Sequence, residues 1–148
     1  TPQPAGKLHS QMDAGSASTE LKIDGREVLR ISPSDAAARS IRDLDLVRIH
    51  NDRGACLATA MVDADLKPGV VVLPTGAWFD APDDGLELRG NPNVLTPDIG
   101  TSRLTQGSSA QSALVEVTAW KQAAPISQVF EPPELTDMST NRDHRGAL

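Results

Sequence analysis

Hydrophobic and polar positions alternate in short stretches along the first half of the chain, a pattern typical of strands. Across residues 21–31 the alternation is broken by Asp24-Gly25, a dipeptide that tolerates the positive φ angles of tight hairpin turns. Residues 46–50 and 55–62 are also strand-like, and Asn51-Asp-Arg-Gly54 between them is a strong turn sequence. Two β-hairpins are therefore predicted.

One short helix and two later strands complete the predicted elements. Ser32-Pro-Ser-Asp35 supplies an N-cap, a proline at the first helical position and an acid near the positive end of the helix dipole, which predicts a helix of about two turns. Strands are predicted at Val70–Leu73 and within Gln111–Trp120. Pro74–Ala110 between them is irregular and rich in glycine and proline, and loops of such length are often functional.

These elements predict a mainly β fold, a small barrel with short helices, over residues 19–120. Residues 1–18 have the composition of a linker, interrupted by the polar cluster at His9. Residues 121–148 contain too few apolar side chains to offset the entropy of ordering, so we predict a flexible tail there.

Composition narrows the possible partners. The 148 residues carry a net charge of −6, which disfavours nucleic acid, and no apolar run is long enough to span a membrane. Cys56 is the only cysteine, so neither an internal disulfide nor a zinc site is expected, and its apolar neighbours favour a core position over a reactive thiol. The chain begins at Thr1 without methionine or a leader, and we expect it to be a piece of a longer protein.

Catalytic motifs are absent from the sequence. It contains no Gly-x-Ser-x-Gly elbow, P-loop or dinucleotide fingerprint, and its three histidines are not at ligand spacing. The acids, such as Asp43 and Asp80, are interpreted as turn-forming or solvated. We therefore expect neither a catalytic residue nor a metal ligand.

A set of uncharged polar residues in predicted loops is the strongest indication of a ligand. Amides present a donor beside an acceptor, as the edge of a purine or pterin requires, and glycines let backbone N–H groups approach phosphates. These residues are His9-Ser10-Gln11, Asn91-Pro92-Asn93, Gly100-Thr101-Ser102, Gln106-Gly107-Ser108-Ser109 and Gln111. Composition alone favours turn formers over ligand contacts for these residues.

Several short motifs, in one order between Leu8 and Trp120, carry a resemblance to a known family. The chain resembles the C-terminal domain of the dimethyl sulfoxide reductase family of molybdopterin oxidoreductases, most of all its biotin sulfoxide and trimethylamine N-oxide reductase branch. The motifs are Leu8-His-Ser-Gln11, Ser34-Asp-Ala-Ala-Ala-Arg39, Val47-Arg-Ile-His-Asn-Asp-Arg-Gly54, Lys67-Pro-Gly69, Gly76-Ala-Trp-Phe-Asp80, Gly90-Asn-Pro-Asn-Val-Leu-Thr96 and Asp98-Ile-Gly-Thr-Ser-Arg-Leu-Thr-Gln-Gly107.

This resemblance implies a six-stranded double-psi β-barrel that covers two copies of molybdopterin guanine dinucleotide, the bis form. The metal's own ligands would come from other domains of the parent enzyme, which would be this domain's partners. The implied cofactor contacts are His9, Ser10, Gln11, Trp78, Asn93, Gln106, Ser108 and Gln111. Trp78 could equally be a core anchor. Two departures from the family pattern are Gly107-Ser-Ser109 in place of Gly-Asn-Cys, and the absence of the usual glycine from Arg42-Asp-Leu-Asp45.

The implied parent enzyme reduces S-oxides or N-oxides by oxygen-atom transfer at molybdenum, in the bacterial cytoplasm or periplasm. The isolated chain is then expected to be inactive, because the redox chemistry belongs to the cofactor. One alternative is a stand-alone double-psi barrel that binds a partner protein or a small ligand without redox activity. A small hydrolase is a weaker alternative.

Overall fold

The computed structural model describes residues 2–82, 85–107 and 113–132. Within these ranges the fold is mainly β, as predicted, with six strands and short helices. The strands are β1 (Val28–Ile31), β2 (Leu46–His50), β3 (Ala55–Val62), β4 (Val71–Val72), β5 (Leu86–Glu87) and β6 (Glu116–Ala119). The helices are α1 (Ser16–Thr19), α2 (Pro33–Ala38) and a 3₁₀ helix at Pro92–Val94.

Strand β3 is the centre of a mixed sheet with the order β4-β1-β3-β2-β6. It pairs with β2 in antiparallel orientation along one side. On its other side it pairs with β1 and with β5, both parallel, at opposite ends of the strand. The two outer strands, β4 and β6, are antiparallel to their neighbours β1 and β2. Because β5 joins β3, the long loop region is anchored to the middle of the sheet.

The hydrophobic core lies against β1, β2 and β3. Residues 55–60 of β3 are all buried, including both faces of the strand, while β2 alternates and buries Val47 and Ile49. Cys56 is fully buried, and burial raises the pKa of its thiol above the usual value. Its prediction as a core residue is confirmed, because a thiol with a raised pKa forms little thiolate.

The second predicted hairpin is confirmed, and the first is correct for its turn only. Strands β2 and β3 meet at His50 opposite Ala55. Residues 23 and 26 form an isolated antiparallel bridge around Asp24 and Gly25, whose φ angles are +50° and +74°. Beyond that turn β1 pairs in parallel with β3 instead of folding back. This pairing buries two of the three apolar side chains of β1, Leu29 and Ile31, completely.

The predicted helix start is confirmed at α2. The hydroxyl oxygen of Ser32 accepts a hydrogen bond from the backbone N–H of Asp35 at 3.2 Å, and Pro33 is the first helical residue. Neither α1 nor β5 was predicted. Helix α1 lies in the stretch of linker composition, and β5 lies in the region predicted to be irregular. Both are short, and β5 depends on pairing with the distant strand β3.

Leu44 lies in the left-handed region, with φ at +68°, in the turn that lacks the family's usual glycine. Its side chain is 59% exposed, so glycine would lose little packing there. We expect Leu44→Gly to stabilise the chain by about 1 kcal/mol, since an L side chain costs about 1–2 kcal/mol in this conformation and added chain entropy offsets part of that. Thermal unfolding tests this, with Leu104→Gly, at an exposed position without a positive φ, expected to give no gain.

Candidate functional site

Two segments that carry predicted ligand residues are in direct contact. Residues 8–11 form a tight turn in which His9 has φ at +51° and the N–H of Gln11 donates to the carbonyl oxygen of Leu8 at 2.9 Å. A Cβ atom at Gly76 would lie 1.8 Å from the carbonyl oxygen of His9, so only glycine allows this approach. The indole N–H of Trp78 donates to the carbonyl oxygen of Ser10 at 2.7 Å. The structure therefore places His9, Ser10, Gln11 and Trp78 together.

The side chains of the 8–11 turn point to solvent. His9, Ser10 and Gln11 are all exposed, and none of their side chains makes a hydrogen bond within the described part of the chain. Their imidazole, hydroxyl and amide groups are thus available to a ligand. The turn is held by its backbone, which leaves the side chains free.

The two asparagines of Asn91-Pro92-Asn93 have different roles. Asn91 is buried, donates from its amide to the carbonyl oxygen of Ala77 at 2.9 Å and accepts from the N–H of Asn93 at 3.0 Å. Asn93 is exposed, and its side-chain amide has no hydrogen-bond partner in the described ranges. Asn91 therefore joins this loop to the Trp78 loop, while Asn93 offers its amide to solvent.

Gln106 is not joined to the other predicted residues. It lies in an exposed loop, where its amide donates to the carbonyl oxygen of Ser102 at 3.1 Å. No hydrogen bond in the described residues connects it to the 8–11 turn or to Trp78. Ser108 and Gln111 lie outside the described residues, so their predicted contacts are not addressed.

Beneath the 8–11 turn lies a cluster of buried charges that the sequence analysis missed. Asp13 and Glu27 are almost completely buried, as are the ammonium groups of Lys7 and Lys22 that contact them. The Lys7 nitrogen lies 2.6 Å from a carboxylate oxygen of Asp13 and 2.5 Å from one of Glu27. The Lys22 nitrogen lies 2.5 Å and 3.6 Å from the same two oxygens. The two ammonium groups are thus shared between two carboxylates.

Arg89 brings a third cation to the other oxygen of Asp13. Its guanidinium lies 3.4 Å from that oxygen, which also accepts the backbone N–H of Trp78 at 3.0 Å. Burial would raise the pKa of Asp13, but hydrogen bonds from Lys22 and Lys7 and the N–H of Trp78 outweigh it and lower that pKa to about 2. Burial is also the main cause of the lowered pKa of Lys22. Asp13 is therefore ionised at neutral pH and joins three segments of the chain.

Glu87 organises the loop that contains Asn91 and Asn93. Its carboxylate is fully buried and accepts backbone N–H groups from Arg89 at 3.0 Å, Gly90 at 2.8 Å and Asn91 at 2.7 Å, with a longer contact from Asp80. Burial raises the pKa of Glu87, and these hydrogen bonds counteract only part of that effect. The side chain functions as a template on which the chain turns after β5.

The first part of the predicted tail contacts the same region. The ring of Phe130 lies edge-on to that of Trp78, with centroids 5.2 Å apart, and 3.9 Å from the guanidinium of Arg89. The hydroxyl of Ser127 donates to a carboxylate oxygen of Asp80, and the guanidinium of Arg26 donates to the carbonyl oxygen of Pro125. The sequence analysis did not anticipate these contacts, and the boundary at residue 121 stays a prediction.

The sequence held little signal for the buried charges. Lys7 and Asp13 occur in a stretch with the composition of a linker, and Lys22 and Glu27 flank a polar turn, where charged residues are ordinarily solvated. For Phe130, the signal was its scarcity, since the chain has only two phenylalanines. Pairing between charges far apart in sequence is visible only once the segments are assembled.

The described residues contain neither a group of metal ligands nor a membrane-spanning helix. Among them, no three His, Cys, Asp or Glu side chains are grouped so that they could hold a metal ion. No helix in these ranges is long and apolar enough to cross a membrane.

Comparison with known proteins identifies the family. The profile of the "Molydopterin dinucleotide binding domain" family matches residues 1–114, more than three quarters of the chain. The chain belongs to this family. The predicted family is thereby confirmed, and the exposed polar turn at 8–11 and the Trp78 and Asn93 loops all lie within the matched residues.

Two curated relatives are similar over most of the domain. A biotin sulfoxide reductase from Cereibacter sphaeroides is 52% identical over 118 residues, covering 79% of this chain and 16% of the relative. A trimethylamine-N-oxide reductase from Haemophilus influenzae is 41% identical over 139 residues, covering 90% of this chain and 17% of the relative. The chain therefore spans about one sixth of the length of these two relatives.

A solved structure supports the fold. Acetylene hydratase from Pelobacter acetylenicus superposes with a TM-score of 0.62 over 80% of this chain and 17% of that one, at 12% sequence identity. At this identity the likeness concerns the fold alone.

Proposed function

We propose that this chain is the domain that binds molybdopterin guanine dinucleotide in a molybdenum oxidoreductase that reduces S-oxides or N-oxides. Its family membership and the printed names of the two relatives support this proposal, as does the small share of each relative that the chain covers. The remaining domains of such a parent enzyme would be its partners. We propose further that residues 19–120 form a double-psi β-barrel, which the mixed six-stranded sheet within the described ranges supports.

The exposed polar groups carry this proposal, because they fit a ligand of the predicted kind. His9, Ser10, Gln11 and Asn93 present imidazole, hydroxyl and amide groups without partners in the described residues. The edge of a pterin or guanine ring alternates donors and acceptors, which amides can match. Beneath the turn, the ammonium groups of Lys7 and Lys22 pair with the carboxylates of Asp13 and Glu27.

When bound, the molybdenum cofactor would supply the oxygen-atom transfer chemistry. The chain's own residues would bind and orient the dinucleotide. The amide of Asn93 would hydrogen-bond a ring edge, and His9, Ser10 and Gln11 would contact the cofactor from the 8–11 turn. Gln106, Ser108 and Gln111 would close the site from the later loop. In this role the domain binds and orients the cofactor. The backbone contacts that hold its loops in place are already formed before the cofactor binds.

Asn93→Asp in the full-length parent enzyme tests this assignment. The substitution keeps the size of the side chain but exchanges the amide donor for an acceptor, so one hydrogen bond to the cofactor becomes a repulsion. We expect cofactor binding to weaken by about 1–3 kcal/mol, roughly 5- to 150-fold in affinity. The measurement is the molybdenum and dinucleotide content of the purified protein after dialysis.

Asn91→Asp is the matched control, two residues away. Asn91 donates to the carbonyl oxygen of Ala77 from a buried position, so its loss should lower the unfolding temperature of the 148-residue chain. Asn93→Asp should leave that temperature almost unchanged, because its side chain is exposed. Full cofactor content in the Asn93 variant together with a lowered unfolding temperature would show that Asn93 is structural and would contradict the assignment.

A further inference from the structure

Both the backbone and the ring of Trp78 donate hydrogen bonds to one short segment, residues 10–13. Its backbone N–H donates to Asp13 at 3.0 Å, and its indole N–H donates to the carbonyl oxygen of Ser10 at 2.7 Å. Residues 10 and 13 both belong to the segment that carries the polar turn. The Trp78 loop therefore cannot move relative to that turn without breaking one of the two hydrogen bonds.

Asp13, which accepts the backbone N–H of Trp78, is itself held by several buried cations. Asp13 is fully buried and is held by the ammonium groups of Lys7 and Lys22 and the guanidinium of Arg89. The turn above it needs such support, because His9 has a positive φ angle that a residue with a side chain seldom adopts. The Ser10 carbonyl is the point at which Trp78 can stabilise that conformation directly.

The ring of Trp78 packs against another aromatic side chain of the protein. Its edge-to-face contact with Phe130 has centroids 5.2 Å apart, and Phe130 in turn lies over the guanidinium of Arg89. Trp78 is 39% exposed, so another part of the residue faces solvent. The polar end of the ring is already used by Ser10, so the indole N–H is not available as a donor to a ligand.

We propose that Trp78 is a positioning residue, which acts on the cofactor through the 8–11 turn and not by contacting it. The indole N–H holds the Ser10 carbonyl, and with it sets the orientation of His9, Ser10 and Gln11 toward the dinucleotide. This inference rests on the proposed function and assigns the mechanism by which the turn is prepared for its ligand. It differs from the sequence-based prediction that Trp78 itself contacts the cofactor, and the experiment below distinguishes the two.

Trp78→Phe is the test, because it retains an aromatic ring beside Phe130 and removes the indole N–H together with the five-membered ring, a change of size that the Trp120→Phe control shares. Hydrogen exchange is measured on the 148-residue chain, in a peptide that covers residues 8–13. We expect exchange at Gln11, whose N–H donates to Leu8, to become at least 3-fold faster. In the full-length parent enzyme, the same substitution should speed the loss of dinucleotide during dialysis by about 5-fold, the effect of one hydrogen bond.

Trp120→Phe is the matched control. Its indole N–H also donates to a backbone carbonyl oxygen, that of Ala123, at 3.2 Å, but far along the chain from the turn. It should change neither the exchange of residues 8–13 nor the dinucleotide content. An effect of equal size in this control would mean that any loss of an indole N–H loosens the chain, and would overturn the assignment to Trp78.

The two measurements on Trp78→Phe separate the alternatives. Faster loss of dinucleotide with unchanged exchange would show direct contact between Trp78 and the cofactor, and would overturn the positioning role. Faster exchange with unchanged dinucleotide content would confine Trp78 to local structure and would overturn it as well. If the wild-type parent enzyme contained no molybdopterin dinucleotide, the proposed function would itself fail, a result that is distinguishable because it needs no variant.

Discussion

Asp13→Asn is expected to lower the free energy of unfolding of the 148-residue chain by about 3–5 kcal/mol, the usual cost of removing one partner from a buried charge cluster. The substitution leaves the ammonium groups of Lys7 and Lys22 with Glu27 as their close carboxylate, and it removes the carboxylate that lies 3.4 Å from the guanidinium of Arg89. The side chain of asparagine has one acceptor oxygen where that of aspartate has two. Its NH₂ group also adds a donor at a point where donors already converge. The effect is large because water cannot reach these groups.

Urea unfolding at pH 7 measures this effect, with Asp65→Asn as the control. Asp65 is exposed, so the same exchange of carboxylate for amide should change the free energy of unfolding by less than about 0.5 kcal/mol. A change below about 1 kcal/mol in the Asp13 variant would mean that the charge cluster is hydrated or dispensable, contrary to our account.

The loss of stability in acid should depend on the same carboxylate, that of Asp13. Because the pKa of Asp13 falls from 3.8 to about 2 on folding, its contribution is fully present above pH 4 and is lost as the pH falls toward 2. The wild-type chain should therefore lose more stability between pH 4 and 2 than the Asp13→Asn variant does. Parallel curves for the two proteins would show that folding does not lower the pKa of Asp13.

Glu87→Ala is the second substitution with a large expected effect, a loss of about 3–5 kcal/mol in the free energy of unfolding. It removes the acceptor of the backbone N–H groups of Arg89, Gly90 and Asn91, and it leaves a cavity at a side chain that is fully buried. Because those N–H groups turn the chain into the Asn93 loop, we also expect the loop to lose order.

Thermal unfolding with Glu116→Ala as the control tests this. Glu116 is exposed on β6, so its removal should cost less than about 1 kcal/mol. The pH dependence of stability provides a second check. The change expected for Glu87 on acidification has the opposite sign to that expected for Asp13. Burial raises the pKa of Glu87, so its charge costs stability at neutral pH, and this cost disappears as the pH falls below the folded-state pKa. Equal losses at the two glutamates would contradict the role of Glu87 as a template.

Local elements were predictable where neighbouring residues decide them. The cap of α2 depends on Ser32 and Asp35, which are three positions apart, and the turn between β2 and β3 depends on Asn51 and Gly54. The hairpin predicted across residues 21–31 failed beyond its turn, because strand pairing depends on which distant partner buries Leu29 and Ile31. Periodicity indicates that a strand has a buried face but does not identify the partner strand.

The candidate site also has features that the sequence predicts and features that only the structure shows. The exposed residues His9, Ser10, Gln11 and Asn93 could be chosen from the sequence, because short polar residues in glycine- and proline-rich loops are typical of ligand contacts and the motif order resembles one family. Their amides and hydroxyls needed no tertiary information to be recognised as donors and acceptors. The distinction between Asn91 and Asn93 as structural and available side chains became clear only from burial.

By itself the sequence determined the mainly β class, the local caps and turns, the core position of Cys56 and the family to which the chain belongs. Tertiary structure alone decided the parallel pairing of β1, the charge cluster at Asp13, the template role of Glu87 and the contact of Phe130 with Trp78. The physical reason is sequence separation. A cap or turn is a contact between residues within four positions, whereas a buried charge becomes favourable only when partners from distant segments replace its lost water.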